Sequence, residues 1–177
     1  MIYTVGHGTL PETDFADLLT GAGIAQVVDV RSYPGSRRNP QYGRAELERW
    51  LPAAGVGYAW DRRLGGRRQP ADTSSHVALR NEAFRGYADH MDSPEFRAAL
   101  AELVGRADPT PTAVMCSESV WWRCHRRLLA DAAVLLHGVP VAHLFHDGRL
   151  SPHQPSPEAR VDGERLVYDL GAAPPLL

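Results

Sequence analysis

The chain has 177 residues, of which 44% are hydrophobic and 23% are charged, and its formal net charge is −2. This composition excludes a disordered or collagen-like chain and indicates a globular domain that can bury a core without disulfides or a structural metal. It has no secretory signal pattern, no apolar run of the roughly 20 residues that span a bilayer, and only two cysteines. We therefore expect a cytoplasmic protein with reduced thiols and no membrane partner.

The first part of the chain alternates short apolar runs with helical patterns. The run from Ile2 to Val5 predicts a buried strand, and Thr9, Pro11 and Glu12 are start signals for a helix. Residues 61–80 are predicted to form a loop, and a loop of that length in a small domain is usually functional or mobile. The predicted elements are a helix over about 11–21, a strand over 24–30, a helix over 44–53 and a strand over 56–60.

The second part continues the alternation. Ser93 followed by Pro94 and Glu95 is a helix start, with an N-cap residue before a proline at the first helical position. The predicted elements are helices near 82–91 and 94–106, a strand over 112–116, a helix over 123–137, a strand over 139–145, a loop over 146–163 and an edge strand over 165–168. Uniformly apolar strands alternating with helices predict a single α/β domain over residues 1–177, with a mainly parallel five- to six-stranded sheet and helices on both faces.

Polar residues follow three of the predicted strands directly. His7 follows the first strand, Asp29 and Arg31 end the second, and Cys116 and Glu118 follow the fourth. In open α/β sheets, ligands bind beyond the carboxyl ends of the strands, where the strand order reverses. These residues, which are far apart in sequence, are therefore predicted to share one site at the rim of the sheet.

The segment from Cys116 to Arg126 runs from a strand through a short loop into a helix. Such a turn directs backbone N–H groups and the positive end of the helix at an anion, and Arg123 or Arg126 would lower the pKa of a nearby thiol. Six residues separate Cys116 from Arg123, whereas cysteine phosphatases have five in a glycine-rich loop. Cys116 could be a reactive thiolate, an inert buried thiol, or a thiol that lines the site without attacking substrate.

Cys116, Cys124 and His125 are also possible zinc ligands. Their spacing matches no usual zinc motif, and neighbouring residues on one helix would point about 100° apart. We therefore expect no metal and no cofactor. Instead, His125 is assigned with Arg31, Arg123 and Arg126 to the binding of phosphate.

Glu118 and Asp29 could either pair with arginines or act as an acid or base. Two carboxylates near His7 would suit the activation of water or the cleavage of a glycosidic bond. Trp121 and Trp122 are not both expected in the core, because neighbours at a helix start face different directions. An exposed tryptophan could stack on a base or sugar, or it could contact a partner protein.

All 19 basic residues other than histidine are arginines, and nine of them lie between Arg31 and Arg68. Only three acidic residues lie in that segment, which leaves a local excess of six positive charges. An electropositive face is expected there, and guanidinium groups suit phosphate oxygens. A phosphate-bearing small molecule or a nucleic acid is therefore the predicted partner, while the oligomeric state stays open.

Six separated motifs occur along the chain: Thr4-Val-Gly-His7, Asp29-Val-Arg31, Leu64-Gly-Gly66, Phe84-Arg-Gly-Tyr87, Cys116-x-Glu118 and Cys124-His-Arg126. In this order they resemble the domain-of-unknown-function family 488 (DUF488), and the resemblance covers nearly the whole chain. The resemblance implies a compact α/β fold with one rim site and assigns no activity. It supports His7, Asp29, Arg31, Cys116, Glu118, His125 and Arg126 as one constellation.

Three hypotheses of function follow. The first is an enzyme that hydrolyses an N-glycosidic or related bond of a nucleotide or nucleic acid, with assistance from a carboxylate. The second is sulfur transfer or redox chemistry at Cys116. The third is a non-catalytic module that binds nucleic acid or protein.

Overall fold

The computed structural model describes residues 1–35 and 37–172 and has the predicted α/β architecture. Its main sheet has six strands in the order β3-β2-β4-β1-β5-β6. The first five are mutually parallel, and β6 pairs antiparallel with β5 at one edge. The strands are β1 (Ile2–Gly6), β2 (Gln26–Asp29), β3 (Gly57–Trp60), β4 (Thr112–Cys116), β5 (Val141–Leu144) and β6 (Leu150–Pro152).

Five α-helices connect these strands within the described residues. Side-chain caps fix two of the starts, since Asn81 and Ser93 accept the backbone N–H groups of Phe84 and Phe96. None of the described helices is both long enough and apolar enough to cross a membrane. The helices are α1 (Glu12–Gly21), α2 (Arg44–Ala53), α3 (Glu82–Met91), α4 (Pro94–Ala107) and α5 (Arg126–His137).

Both faces of the sheet are buried, which explains why its central strands are mostly apolar. Successive residues of a strand point to opposite faces, so Val27 and Val28 of β2 belong to two different cores. Helices α1 and α2 cover one face, and α3, α4 and α5 cover the other. The helical side chains of the first core are Phe15, Leu19, Leu47, Trp50 and Leu51, and those of the second include Tyr87, Phe96, Leu100, Leu128 and Leu129.

The C-terminal region differs from the prediction. The predicted loop over 146–163 contains β6 and a further strand, β7 (Ala159–Asp162). The predicted edge strand is present as β8 (Arg165–Tyr168), but it pairs with β7 in a separate two-stranded antiparallel sheet. Strand β7 is short, partly exposed and polar, so it lacks the apolar run on which the other strand predictions rested.

Helix α5 begins at Arg126, three residues later than predicted. Residues Trp121–Arg123 form a single 3₁₀ turn, and the backbone at Cys124 is extended, with φ −125° and ψ 150°. His125 is the residue that precedes the helix. Cys124 and His125 are therefore not neighbours on a helix, and the expectation that their side chains point about 100° apart is wrong.

Candidate functional site

The strand order reverses between β1 and β4. The chain leaves β1 through α1 toward β2, and it leaves β4 through α5 toward β5 on the other side. Since α1 and α5 lie on opposite faces of the sheet, their connections diverge and leave a crevice beyond the carboxyl ends of these two strands. The two loops are joined there, because the backbone N–H groups of His7 and Gly8 donate to the carbonyls of Cys116 and Ser117.

A cavity of about 520 Å³ occupies this crevice, a size typical of small-molecule sites. Its wall comes from the segments after β1, β2 and β4, from the loop over 61–80 and from the start of α3. Six of the ten predicted site residues line it. They are His7, Arg31, Cys116, Glu118, Arg123 and His125.

Asp29 lies beneath the cavity and holds Arg31. Its carboxylate is fully buried and accepts Arg31 Nε at 2.8 Å and Nη2 at 2.6 Å, with the Tyr58 hydroxyl at 2.8 Å. Burial acts to lower the pKa of Arg31, but the hydrogen bonds and the charge of Asp29 raise it overall. Asp29 does not line the cavity, so the expectation that it acts as a base there is not supported by its position.

Arg31 has few donors left for a ligand. Of its five N–H groups, two bond to Asp29, a third donates to the Tyr42 carbonyl at 2.8 Å, and a fourth faces His7 Nε2 at 3.3 Å. One N–H of Nη1 is unassigned. Arg31 can therefore contribute a positive charge and one hydrogen bond, but not a bidentate phosphate clamp.

His7 is held in one tautomer. Its Nδ1 donates to the Gly8 carbonyl at 2.9 Å, so Nε2 carries the lone pair that faces Arg31. Burial, together with the charge of Arg31, lowers the pKa of His7 to about 4. Because its ring also stacks on Tyr42, with centroids 3.9 Å apart, His7 positions Arg31 and is poorly placed to take a proton from a substrate.

Glu118 is the exposed carboxylate of the cavity wall. Within the described residues its carboxylate has no hydrogen-bond or ion-pair partner, and Arg126 donates to its backbone carbonyl instead. The alternative in which the Glu118 carboxylate pairs with Arg31 or Arg126 is therefore absent from the structure. Arg126 is fully buried and lies outside the cavity wall, so its predicted role in phosphate binding is replaced by support of this loop.

Two arginines reach the cavity without a protein partner. Arg123 and Arg67 are exposed, and among the described side chains neither guanidinium has a hydrogen bond or ion pair. Arg67 was not predicted, because nothing in the sequence separates it from the other arginines between residues 31 and 68. Two acids from outside the segment, Asp29 and Glu102, join its ion pairs and reduce the predicted charge excess, and four of the nine arginines are ion-paired. They are Arg31, Arg44, Arg49 and Arg63.

Neither Trp121 nor Trp122 lines the cavity. Trp121 stacks on the buried ring of His143, with centroids 3.9 Å apart, and Trp122 is 47% exposed. The tryptophan rings therefore cannot stack on a ligand inside the cavity, because the residues before α5 form a 3₁₀ turn that places both rings outside its wall. The aromatic rings of the cavity wall are those of Tyr33, which is 64% exposed, and Phe84.

The two thiols and His125 form a compact group in the cavity wall. Their ligand atoms, the two sulfurs and one imidazole nitrogen, all lie within 4.8 Å of one another. A hydrogen bond with Cys124, together with burial, raises the pKa of Cys116 to about 12. Burial acts in the same direction on Cys124, but the hydrogen bond from Cys116 and the charge of Arg126 outweigh it and lower the pKa of Cys124 to about 6.

Comparison with known proteins gives one match. A family model described as "Domain of unknown function DUF488" matches residues 13–133. No curated protein and no solved structure matches the chain. The matched range contains Asp29, Arg31 and the whole segment from Cys116 to Arg126, while His7 lies before it.

Proposed function

Because the chain belongs to the DUF488 family, whose description assigns no activity, we propose a function from its own cavity. We propose an enzyme that binds a nucleotide, free or within a nucleic acid, and hydrolyses its N-glycosidic or a related bond. The observation that carries this proposal is the presence of three unpartnered charged side chains at one cavity. Arg67, Arg123 and Glu118 lack a protein partner in the part of the chain that the structure describes.

Arg67 and Arg123 would bind the phosphate. An unpaired guanidinium binds phosphate oxygens through two parallel N–H groups, which a guanidinium already bonded to a carboxylate cannot do. The positive charge of Arg31 supports the same end of the ligand from below, with the one N–H that its other bonds leave unassigned. Tyr33 or Phe84 would stack on the base.

Glu118 would act as the general base. Its carboxylate would take a proton from water while the water oxygen attacks the anomeric carbon. The electron pair of the broken C–N bond would leave with the nucleobase, which takes a proton from solvent. The carboxylate charge would also stabilise the oxocarbenium-like transition state. A cavity of about 520 Å³ accommodates one nucleotide, so a nucleic acid would have to present a flipped-out nucleotide.

The two alternative functions account for less of this geometry. The hydrogen bond with Cys124 and burial raise the pKa of the Cys116 thiol, which makes it a weaker nucleophile than a free thiol. A binding module would need the arginines but not a carboxylate in the same wall, where its charge opposes the binding of an anion.

The test is chromatographic. The protein is incubated with each common nucleoside monophosphate, and the release of free base and sugar phosphate is measured. Glu118→Gln is expected to lower kcat by about 10²–10⁴ with little change in ligand affinity. Glu164→Gln, the same substitution at a 94% exposed residue away from the cavity, should leave kcat unchanged.

Two outcomes would contradict the proposal. Release of free base at the wild-type rate by Glu118→Gln would show that Glu118 is not the general base. Tight nucleotide binding without turnover would favour the binding module over the enzyme.

A further inference from the structure

The group formed by Cys116, Cys124 and His125 goes beyond the proposed function and does not depend on it. Cys116 ends β4, and the other two residues lie directly before α5, so the crevice brings them together from opposite ends of one loop. Cys124 Sγ lies 3.6 Å from His125 Nδ1, and all three potential ligand atoms lie within 4.8 Å of one another. The two cysteines are buried, and all three residues line the cavity.

The histidine is oriented toward the sulfurs. His125 Nε2 lies 3.1 Å from the Val30 carbonyl, which can only accept, so Nε2 carries the proton and Nδ1 has a free lone pair. A ring N–H bonded to a backbone carbonyl is the usual support of a metal-binding histidine. Gly66 allows this close approach, because a Cβ there would lie 2.8 Å from Nδ1.

The distances and charges fit a tetrahedral ion. Zinc bonds of about 2.3 Å to sulfur and 2.0 Å to nitrogen place tetrahedral ligand atoms about 3.5–3.8 Å apart. The Cys124–His125 separation is already 3.6 Å, and the other two need to shorten by at most about 1.3 Å. Two thiolates would balance the charge of a divalent ion. Arg126 Nε donates to Cys124 Sγ at 3.3 Å, a contact that favours the thiolate form of Cys124.

We propose that Cys116, Cys124 and His125 bind one Zn²⁺ ion, with a fourth coordination position open to the cavity. Two thiolates and an imidazole select zinc over magnesium or calcium, which prefer oxygen ligands. Three protein ligands with an open position are the pattern of catalytic rather than structural zinc sites. A disulfide between the two cysteines would not require an imidazole lone pair directed at them.

The experiment uses the whole protein, reduced and stripped of metal with a chelator. Co²⁺ is added as the spectroscopic probe, followed by Zn²⁺. We expect one Co²⁺ per chain with intense sulfur-to-cobalt charge-transfer absorption, which Zn²⁺ abolishes by displacement. Zn²⁺ should also slow alkylation of both thiols in the wild-type protein at least about 10-fold, a measurement that needs no variant.

Two matched variants locate the third ligand. His125→Gln should weaken Zn²⁺ binding at least about 100-fold, since loss of a group that only orients a metal ligand already costs about 10–100-fold. His137→Gln, the same substitution at an exposed histidine on α5, should leave the affinity unchanged, and far-ultraviolet circular dichroism checks both folds.

Three results would overturn the proposal. The first is cobalt uptake without sulfur charge-transfer bands. The second is wild-type affinity in folded His125→Gln. The third is the absence of metal uptake by the reduced protein, with the two thiols instead forming a disulfide in air.

Discussion

The buried pair of Asp29 and Arg31 predicts a large loss of stability for Asp29→Asn. The two side chains are 0% and 6% exposed, so the substitution leaves a buried guanidinium without its counter-charge. The new amide N–H₂ would also face N–H donors of Arg31, which in the wild-type protein bond to the two carboxylate oxygens of Asp29. Breaking one side of a buried pair costs about 3–5 kcal/mol, a large part of the roughly 5–15 kcal/mol that stabilises a typical domain.

The chain contains its own control for this prediction. Asp61 and Arg63 repeat the same arrangement two residues apart, since Arg63 donates from its backbone N–H, Nε and Nη2 to the Asp61 carboxylate. This pair is 18% and 35% exposed, and Arg63 also bonds to Glu102. Asp61→Asn should therefore cost less than about 1 kcal/mol.

Urea unfolding of the wild-type protein and both variants measures the difference. The free energy of unfolding should fall far more for Asp29→Asn than for Asp61→Asn, with similar denaturant slopes. Equal losses in the two variants, or a loss below about 1 kcal/mol for Asp29→Asn, would refute the conclusion that burial makes the first pair essential.

Two further predictions concern packing and pH. In Gly6→Ala the new Cβ would overlap the Glu118 carbonyl oxygen, so thermal unfolding should show a loss of about 1–3 kcal/mol. Gly105→Ala, in open space on α4, should instead stabilise the protein by about 0.5–1 kcal/mol. Equal effects of the two substitutions would contradict the close approach at Gly6. Burial lowers the folded-state pKa from 6.5 to about 4 for His7 and to about 3 for His143. The stability that depends on their neutral forms is therefore complete above pH 6.5 and is lost as the pH falls toward the folded-state pKa values. Urea unfolding at pH 7 and pH 5 should differ by roughly 2 kcal/mol per histidine, and unchanged stability over that range would show that these rings are protonated in the fold.

The sheet and the rim site follow from features that the sequence carries locally. Apolar residues at every position of a strand indicate that both faces are covered, which holds for Val27 and Val28 on opposite sides of β2. Parallel strands place their carboxyl ends at one edge, and the residues after β1 and β4 meet there through backbone hydrogen bonds. Both inferences need only the order and the pattern of the elements.

What the sequence could not supply is the local backbone before α5 and the partners of individual charges. Hydrophobic periodicity does not show whether a helix begins at residue 123 or 126, and that difference decides whether Cys124 and His125 diverge or meet Cys116. Whether an arginine is paired likewise depends on long-range contacts that the sequence does not show. Arg63 bonds to Glu102 on α4, whereas Arg67 has no such partner among the described residues. Strand β7 escaped prediction because its residues are polar and partly exposed.

The central claim is that the unpartnered arginines of the cavity bind phosphate. Isothermal titration at low ionic strength can compare a nucleoside monophosphate with its nucleoside, using wild-type protein and the double variant Arg67→Gln, Arg123→Gln. We expect the monophosphate to bind the wild-type protein at least about 10-fold more tightly than the nucleoside. This difference should disappear in the double variant. The control Arg106→Gln, at an exposed arginine on α4, should retain it. Equal affinities of the two ligands for the wild-type protein, or a phosphate preference that survives the double substitution, would contradict the claim.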